Sequence, residues 1–445
     1  MTRLADTGTY GSLWERTRFS SRQEPQLVDD GLHDLLAPLY LGYGPRAGGR
    51  GGKASGLTSP SAGALYPLEV YCRIPGDDDV ALYDPETRTL RRPAGPPGVV
   101  PRLLAVDGHQ SVATLALALR PWASIRKYGL RGYFYSHLDG AHALASIVRA
   151  AEALGRPVGV WLPPEDRELP EGREVYAIVS LGSARVPAAA RVPPARDTGR
   201  ARQAGESIET MMWDRLRAYG AGAPWPSAHD SATFALLAGG DVAGGPARPW
   251  DAQAWTRRRS AHGFDQGAGL SMSALTELIE GLPQDFPGNL SQAAARPQVR
   301  VVEPASANRA GTLWELDRGK LRPAGSCQMA GEDLVAACAK QAVVEHASAL
   351  VVFVVGQGQL QAMSDVTAAL LCSGVLSAQL YLACAGHGYG CTCIGAYDSA
   401  EFRRHQVIGE GEDVVNITAI GLAGHERAEK VDRTQFALRS GEATW

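Results

Sequence analysis

An excess of charge of either sign is missing from this sequence: its formal net charge is −3 over 445 residues. That leaves no electrostatic footprint for nucleic acid. It has no C-x-x-C pair, and its seven cysteines are an odd number. A disulfide framework is disfavoured, and a reducing cytoplasm is the expected compartment. Cys391 and Cys393 are too closely spaced for the usual zinc ligands, so they read as packing and no metal is expected. The opening MTRLADTGTYGSLWERTRF has no apolar core and does not read as a signal peptide. No run reads as long and apolar enough to span a membrane.

What is present is punctuation by 51 glycines and 28 prolines, and an internal repeat. The sharpest stretch is Ser59-Pro60-Ser61-Ala62-Gly63-Ala64-Leu65-Tyr66-Pro67. Proline fixes φ, glycine permits positive φ, and small side chains leave backbone N–H groups open to a ligand. A strand-like apolar run follows at 68–74. Helical spacing of Leu32, Leu35, Leu36 and Leu39 predicts a helix over 31–41 that Pro38 bends or ends. A helix entering a buried strand is expected over 103–118, a polar, aromatic interruption at 127–133, an Ala-rich helix over 141–154 and a buried strand over 174–182. Residues from 183 to about 250 are rich in Ala, Pro, Gly and Arg and read as a linker, with one helix at 208–216.

The order then recurs. Leu275, Leu278, Ile279 and Leu282 mark a helix with Ser273 as its N-cap. Residues 334–355 parallel the 103–118 region, 374–388 parallel the Ala-rich helix, and VVNITAIG parallels VYAIVSLG. Three elements in the same order at a near-constant offset indicate a tandem duplication of one α+β domain. The two copies are expected to pack as an intramolecular pseudo-dimer. The division is 1–185, a linker at 186–250, and 251–445.

The second half carries Arg258-Arg259-Ser260-Ala261-His262-Gly263-Phe264 before its first helix, and Leu382-Ala383-Cys384-Ala385-Gly386-His387-Gly388-Tyr389-Gly390 leading to Cys393-Ile394-Gly395-Ala396. These segments resemble the flavin-dependent nitroreductase superfamily. The first resembles its R-R-S-x-R-x-F clamp for the FMN phosphate, with His262 where the family has Arg or Lys. The second resembles the segment whose backbone lies near flavin N5. Stretch 59–67 resembles the loop that a partner subunit lays over the same flavin. The resemblance thus implies one composite FMN site: Arg258, Arg259, Ser260 and His262, then Cys393, Ile394, Gly395 and Ala396, covered by Ser59, Pro60, Ser61, Ala62, Gly63 and Ala64. A late basic residue for the phosphate would be Arg427, Lys430 or Arg433. The reciprocal site, at 16–20 and 287–292, is reduced, so one FMN per chain is expected.

Lys127-Tyr128-Gly129-Leu130-Arg131-Gly132-Tyr133, together with 59–67, resembles the SagB-type branch, the azoline dehydrogenases that include the tandem cyanobactin oxidases. The resemblance implies oxidation of thiazolines or oxazolines to azoles in a precursor peptide. Hydride would go to FMN N5, the Cα proton to Lys127 or Tyr128, and O2 would reoxidise the flavin. A partly desolvated lysine suits a base. If the pair lies on a strand, its side chains point to opposite faces. Arg131 and Tyr133 order this motif, line the pocket or simply pack, and Trp122 and Trp161 read as core or as a border of the flavin. His109 and His142 read as satisfied core or surface histidines. A cyclodehydratase is the expected partner. The chain is a monomeric pseudo-dimer or a homodimer. Three other readings remain open: an NAD(P)H-dependent nitroreductase-like enzyme, a degenerate flavin-fold protein that binds a peptide or partner without catalysis, and a flavin-dependent dehydrogenase acting on a different peptide bond type.

Overall fold

The computed structural model describes residues 30–45, 56–76, 79–85, 88–91, 113–161, 168–169, 173–182, 252–266, 269–282, 296–306, 310–361 and 363–424. The apolar runs become the central strands. ATLALAL forms β4 (Ala113–Leu119), buried at every position. ALVVFVVG forms β11 (Ala349–Gly356), buried up to its last residue. A strand apolar on both faces needs cover on both faces, and long helices and sheet neighbours supply it.

In the first half, β1 (Leu68–Arg73), β2 (Val80–Asp84), β3 (Thr89–Arg91), β5 (Val158–Trp161), β6 (Glu168–Leu169) and β7 (Arg173–Leu181) join β4. Their order is β3-β2-β1-β4-β7-β5, with β6 against β7. In the second half, β8 (Gln298–Glu303), β9 (Gly311–Asp317), β10 (Lys320–Cys327), β12 (Gly390–Ile394) and β13 (Glu412–Gly421) join β11 in the order β10-β9-β8-β11-β13-β12. Every pairing is antiparallel. Position for position the two orders coincide. The chain is α+β and contains the same unit twice.

Two long helices join the units. α3 (Arg131–Ala153) belongs to the first half and α7 (Met363–His387) to the second. They pack so closely that a Cβ on Gly374 of α7 would lie 2.5 Å from the Cβ of Ala141 of α3. One hydrophobic cluster runs through this contact and takes in both halves. α1 (Asp30–Gly42) lies on α3, and a Cβ on its Gly42 would meet the Ile147 backbone at 2.5 Å. α2 (Pro121–Tyr128) precedes α3, and Trp122 of α2 is core. α4 (Ala252–Arg257) buries Trp255 against α7, while α5 (Met272–Glu280), α6 (Gly331–Ala337) and α8 (Ser399–Arg404) cover the second half. The seven cysteines are free.

Some local expectations change. Lys127 and Tyr128 end a helix instead of lying on a strand or in an irregular break. Pro121 opens α2 at a position where its missing N–H costs nothing, and Gly129, at φ 60°, closes it. α3 therefore starts ten residues earlier than the Ala-rich run, at Arg131. Pro38 lies inside α1, which continues to Gly42. Ser271, not Ser273, caps α5, its Oγ accepting the Ala274 N–H at 3.2 Å. α7 contains a stretch, Asp365–His387, apolar enough to cross a membrane, where none was expected; 83% of its most apolar window is buried in the protein, as a core helix would be. Residues 16–20, 103–112, 186–250 and 287–292, with His109, Arg427, Lys430 and Arg433, lie outside the described residues, as does the side chain of Trp161.

Candidate active site

Between β1 and the helices, loop 59–67 makes one short helical turn at Ala62–Ala64. Gly63, Ala64 and Tyr66 have φ of 59°, 55° and 46°. Two of these are not glycine, so the loop stores backbone strain that its surroundings must hold. The hold comes from both halves. Ser61 Oγ donates to Asp139 Oδ2 at 2.6 Å, and the Ala62 N–H donates to the same carboxylate at 3.1 Å. Ser61 Oγ accepts the Tyr66 N–H, and Tyr66 Oη accepts the Leu57 N–H, both at 2.8 Å. From the second half, Arg258 Nε donates to the Thr58 carbonyl at 2.5 Å and Nη2 to that of Leu57 at 3.2 Å.

That last contact changes the meaning of the expected phosphate clamp. Arg258 is 1% exposed, and a buried guanidinium must find acceptors. The carbonyls of the covering loop serve, so Arg258 ties the two halves together. Arg259 is half-buried and donates to the Arg258 carbonyl. Ser260 faces the cleft with its Oγ 3.3 Å from Tyr381 Oη, whereas His262 is exposed and outside the cleft lining. The segment runs beside β12, with the Ala261 N–H on the Cys391 carbonyl at 2.9 Å.

The opposite wall is the end of β12. The Cys393 N–H donates to Tyr381 Oη at 2.7 Å and its thiol to Asn416 Oδ1 at 3.1 Å. Ile394 is buried in the second core, and the Ala396 carbonyl accepts from Gln341. Gly395 lets the backbone come close to Tyr135: a Cβ there would lie 2.5 Å from its ring. Together Pro60, Ser61, Ala62, Gly63, Ser260, Thr392, Cys393 and Gly395 border one cleft of about 540 Å³, counting its open mouth. The three separate sequence segments thus meet.

The remaining wall was not anticipated. Tyr135, Leu138, Asp139 and His142, at helical spacing on α3, line the same cleft with Tyr381 of α7. Burial pushes the Asp139 carboxyl up to about 7, against the lowering pull of Ser61 and Ala62. Burial, and then Arg258, brings His142 down to about 3, with the Pro60 carbonyl pulling the other way. His142 is therefore neutral at pH 7, and among the described residues neither ring nitrogen has a hydrogen-bond partner in good geometry. Burial, and then the Asp139 charge, pushes the Cys393 thiol up to about 12, so it is no nucleophile. The signal for this wall was a polar stripe, Tyr135, Asp139 and His142, within an otherwise Ala- and Leu-rich helix.

Lys127 and Tyr128 sit at the lip. Lys127 is exposed, so the desolvation expected of it is absent, and Tyr128 is half-buried. Tyr128 meets Tyr135 edge-on, ring centroids 4.9 Å apart, and Lys127 Nζ lies 5.4 Å from the Tyr128 ring centre. Both reach Gly63: a Cβ there would be 2.7 Å from Lys127 Nζ and would strike Tyr128 Oη. Being adjacent on a helix end, the two polar tips converge where strand neighbours would diverge. Arg131 stacks over Tyr397 at 4.6 Å and donates to its carbonyl, tying α3 to the segment after β12. Tyr133 is buried away from the cleft, its hydroxyl on Glu174.

No family model matches the chain. A protein of Methanocaldococcus jannaschii named as a nitroreductase is 30% identical over 149 residues, 31% of this chain and 73% of the relative. A structure from Anabaena variabilis, also named as a nitroreductase, superposes over 94% of this chain and 99% of its own, with a TM-score of 0.64 at 16% identity, a likeness of fold. A chain of the E. coli microcin synthetase complex, solved with a truncated pro-peptide bound, aligns over 38% of this chain and 70% of its own (TM-score 0.31, 14% identity).

Proposed function

The chain belongs to the nitroreductase family, and on that premise we propose that it is an FMN-dependent dehydrogenase that oxidises azoline rings of a precursor peptide to azoles. The cleft suits a flavin. Gly63 and Gly395 leave room where a Cβ would strike neighbouring side chains, Ser260 offers a hydroxyl, and His142 lines the cleft as a buried, neutral imidazole. FMN would be held by Arg259 and Ser260, by the backbone at Cys393, Ile394 and Gly395, and by loop 59–64. When bound, it supplies a two-electron acceptor that O2 regenerates.

The side chains handle the proton. Aromatising an azoline removes a hydride from the carbon that was Cβ and a proton from Cα. The observation that carries this reading is the convergence of Lys127 Nζ and Tyr128 Oη on Gly63, at the lip of the cleft. Tyr128, set against the cleft wall through Tyr135, takes the Cα proton. It does so as a phenolate, whose charge the exposed Lys127 ammonium beside it stabilises, and the proton then leaves to solvent at the lip. We assign this work to a chain divided at 1–185 and 251–445, with 186–250 as connector, and substrate delivery to a cyclodehydratase partner.

The test begins with an absorbance spectrum and the flavin released per chain, expected near one FMN. Lys127→Ala and Tyr128→Phe are then assayed on an azoline peptide under air. Tyr128→Phe is expected to lower kcat roughly a hundredfold, the scale of a lost acid–base group. Two FMN per chain would contradict the single site, and a protein that takes up no FMN would end the dehydrogenase reading. The name of the Methanocaldococcus jannaschii relative favours a second reading, NAD(P)H-dependent reduction of a nitro compound. Fast NADPH oxidation with a nitroaromatic acceptor, and none of the azoline chemistry, would select it.

A further inference from the structure

The left-handed residues of loop 59–67 are Gly63, Ala64 and Tyr66, and the first of them lies beside the Lys127 and Tyr128 tips. A left-handed Ala and Tyr persist only where the surroundings hold them. The holds are of two kinds. Arg258 and Tyr66 grip the entry to the loop, at Leu57 and Thr58. Asp139 grips its tip, taking the Ser61 hydroxyl and the Ala62 N–H on one carboxylate, directly before Gly63.

Asp139 is an unusual residue for this task. It is 6% exposed, in the middle of an apolar helix, and no cation pairs with it among the described residues. A buried carboxylate without a counter-charge lowers stability, so its presence calls for a gain elsewhere. The loop tip is what it contacts.

We propose that Asp139 is a positioning residue, the latch that holds the Ser61–Ala62 tip so that Gly63 receives Tyr128 and Lys127 at the lip of the cleft. This rests on the role given to that pair above. Both carboxylate oxygens are taken up by the loop tip, at the Ser61 hydroxyl and the Ala62 N–H. Asp139 acts through the loop and then through the pair. Its work is done by two acceptor oxygens, and an amide can replace most of that: the Asn carbonyl accepts from Ala62 and its NH2 donates to Ser61 Oγ.

The test is a set of variants measured at saturating FMN on an azoline peptide. Asp139→Ala is expected to lower kcat about tenfold or more, and Asp139→Asn to recover most of that loss. In a Lys127→Ala, Tyr128→Phe background, Asp139→Ala should cause little further fall, because the pair through which it acts is gone. Equal falls in both backgrounds, or an Asn variant as damaged as the Ala variant, would overturn the latch. Urea unfolding of each variant separates misfolding from mispositioning. Coupling between Ser61→Ala and Asp139→Ala in that same unfolding measurement tests the bond without flavin, and its absence would also overturn the proposal. If the wild type binds FMN yet leaves the azoline untouched, the functional reading fails. The Ser61–Asp139 coupling then still reports on the latch, together with the visible spectrum of the bound flavin.

Discussion

α3 and α7 occupy the same place in the two repeats and face opposite ways chemically. Each ends in a glycine of positive φ, Gly155 at 63° and Gly388 at 76°, and this sets their register. In that register the cleft residues Tyr135, Asp139 and His142 of α3 correspond to Ala368, Cys372 and Val375 of α7. Across the cleft, Tyr381 and Cys393 correspond to Val148 and Val160. The counterparts are all buried and almost all apolar. At these positions the scaffold is kept twice and the polar side chains once. A site therefore costs the fold little to lose: exchanging a buried carboxylate and imidazole for Cys and Val removes desolvation penalties.

That comparison can be broken most forcefully at Tyr381. Replacing it with its counterpart residue, Tyr381→Val, strands the Cys393 N–H, which alone costs about 1–3 kcal/mol. FMN affinity should fall roughly ten- to a hundredfold by fluorescence titration, while Val148→Ala in the apolar counterpart should leave it alone; equal losses would mean the second site also holds flavin. Next in size is Gly374→Ala at the helix crossing. Its new methyl meets Ala141, and overpacking of this kind costs about 1–3 kcal/mol. Urea unfolding reads it out, and an unchanged midpoint would show the helices free to separate.

The pH dependence is a finer probe. Asp139 at about 7 sits above the ordinary carboxylate value, so the folded protein holds its proton more tightly than the unfolded chain. Its contribution to stability is full below about pH 4 and is lost as pH rises through about 7. Wild type should therefore lose ground to Asp139→Asn between those limits, by no more than about 1.4 kcal/mol per pH unit. His142 is common to both proteins and drops out of the difference, which a pH-independent gap would contradict. The smallest effect is expected from Cys372→Ala, the counterpart of Asp139, with flavin affinity within about twofold of wild type.

The repeat was readable because buried strands announce themselves: VYAIVSLG and VVNITAIG are near-continuous apolar runs, and they became β7 and β13. The two ends of the cleft were readable because close backbone approach demands Gly63 and Gly395. Asp139 and His142 were not, since a polar residue in an Ala-rich helix declares neither which face it takes nor what lies opposite. The grip of Arg258 on the loop was not legible for a related reason. Its acceptors are main-chain carbonyls 200 and 201 residues away, and a carbonyl leaves no mark in the side-chain sequence. The α2 end was missed because Gly129 was read as part of a polar run and not as a helix stop.

Gly374 and Ala141, touching at the helix crossing, are also each other's counterparts in the register of Gly155 and Gly388. The pseudo-twofold axis therefore runs through this contact. In a dimer of identical chains the position on the axis meets itself, and one substitution is felt twice. Two alanines would collide at this spacing, and two glycines would weaken both helices. Joining the copies in one chain released that constraint, so that one side could keep the methyl and the other give way to it. The same freedom allowed Tyr135, Asp139 and His142 to stand on one side and Ala368, Cys372 and Val375 on the other.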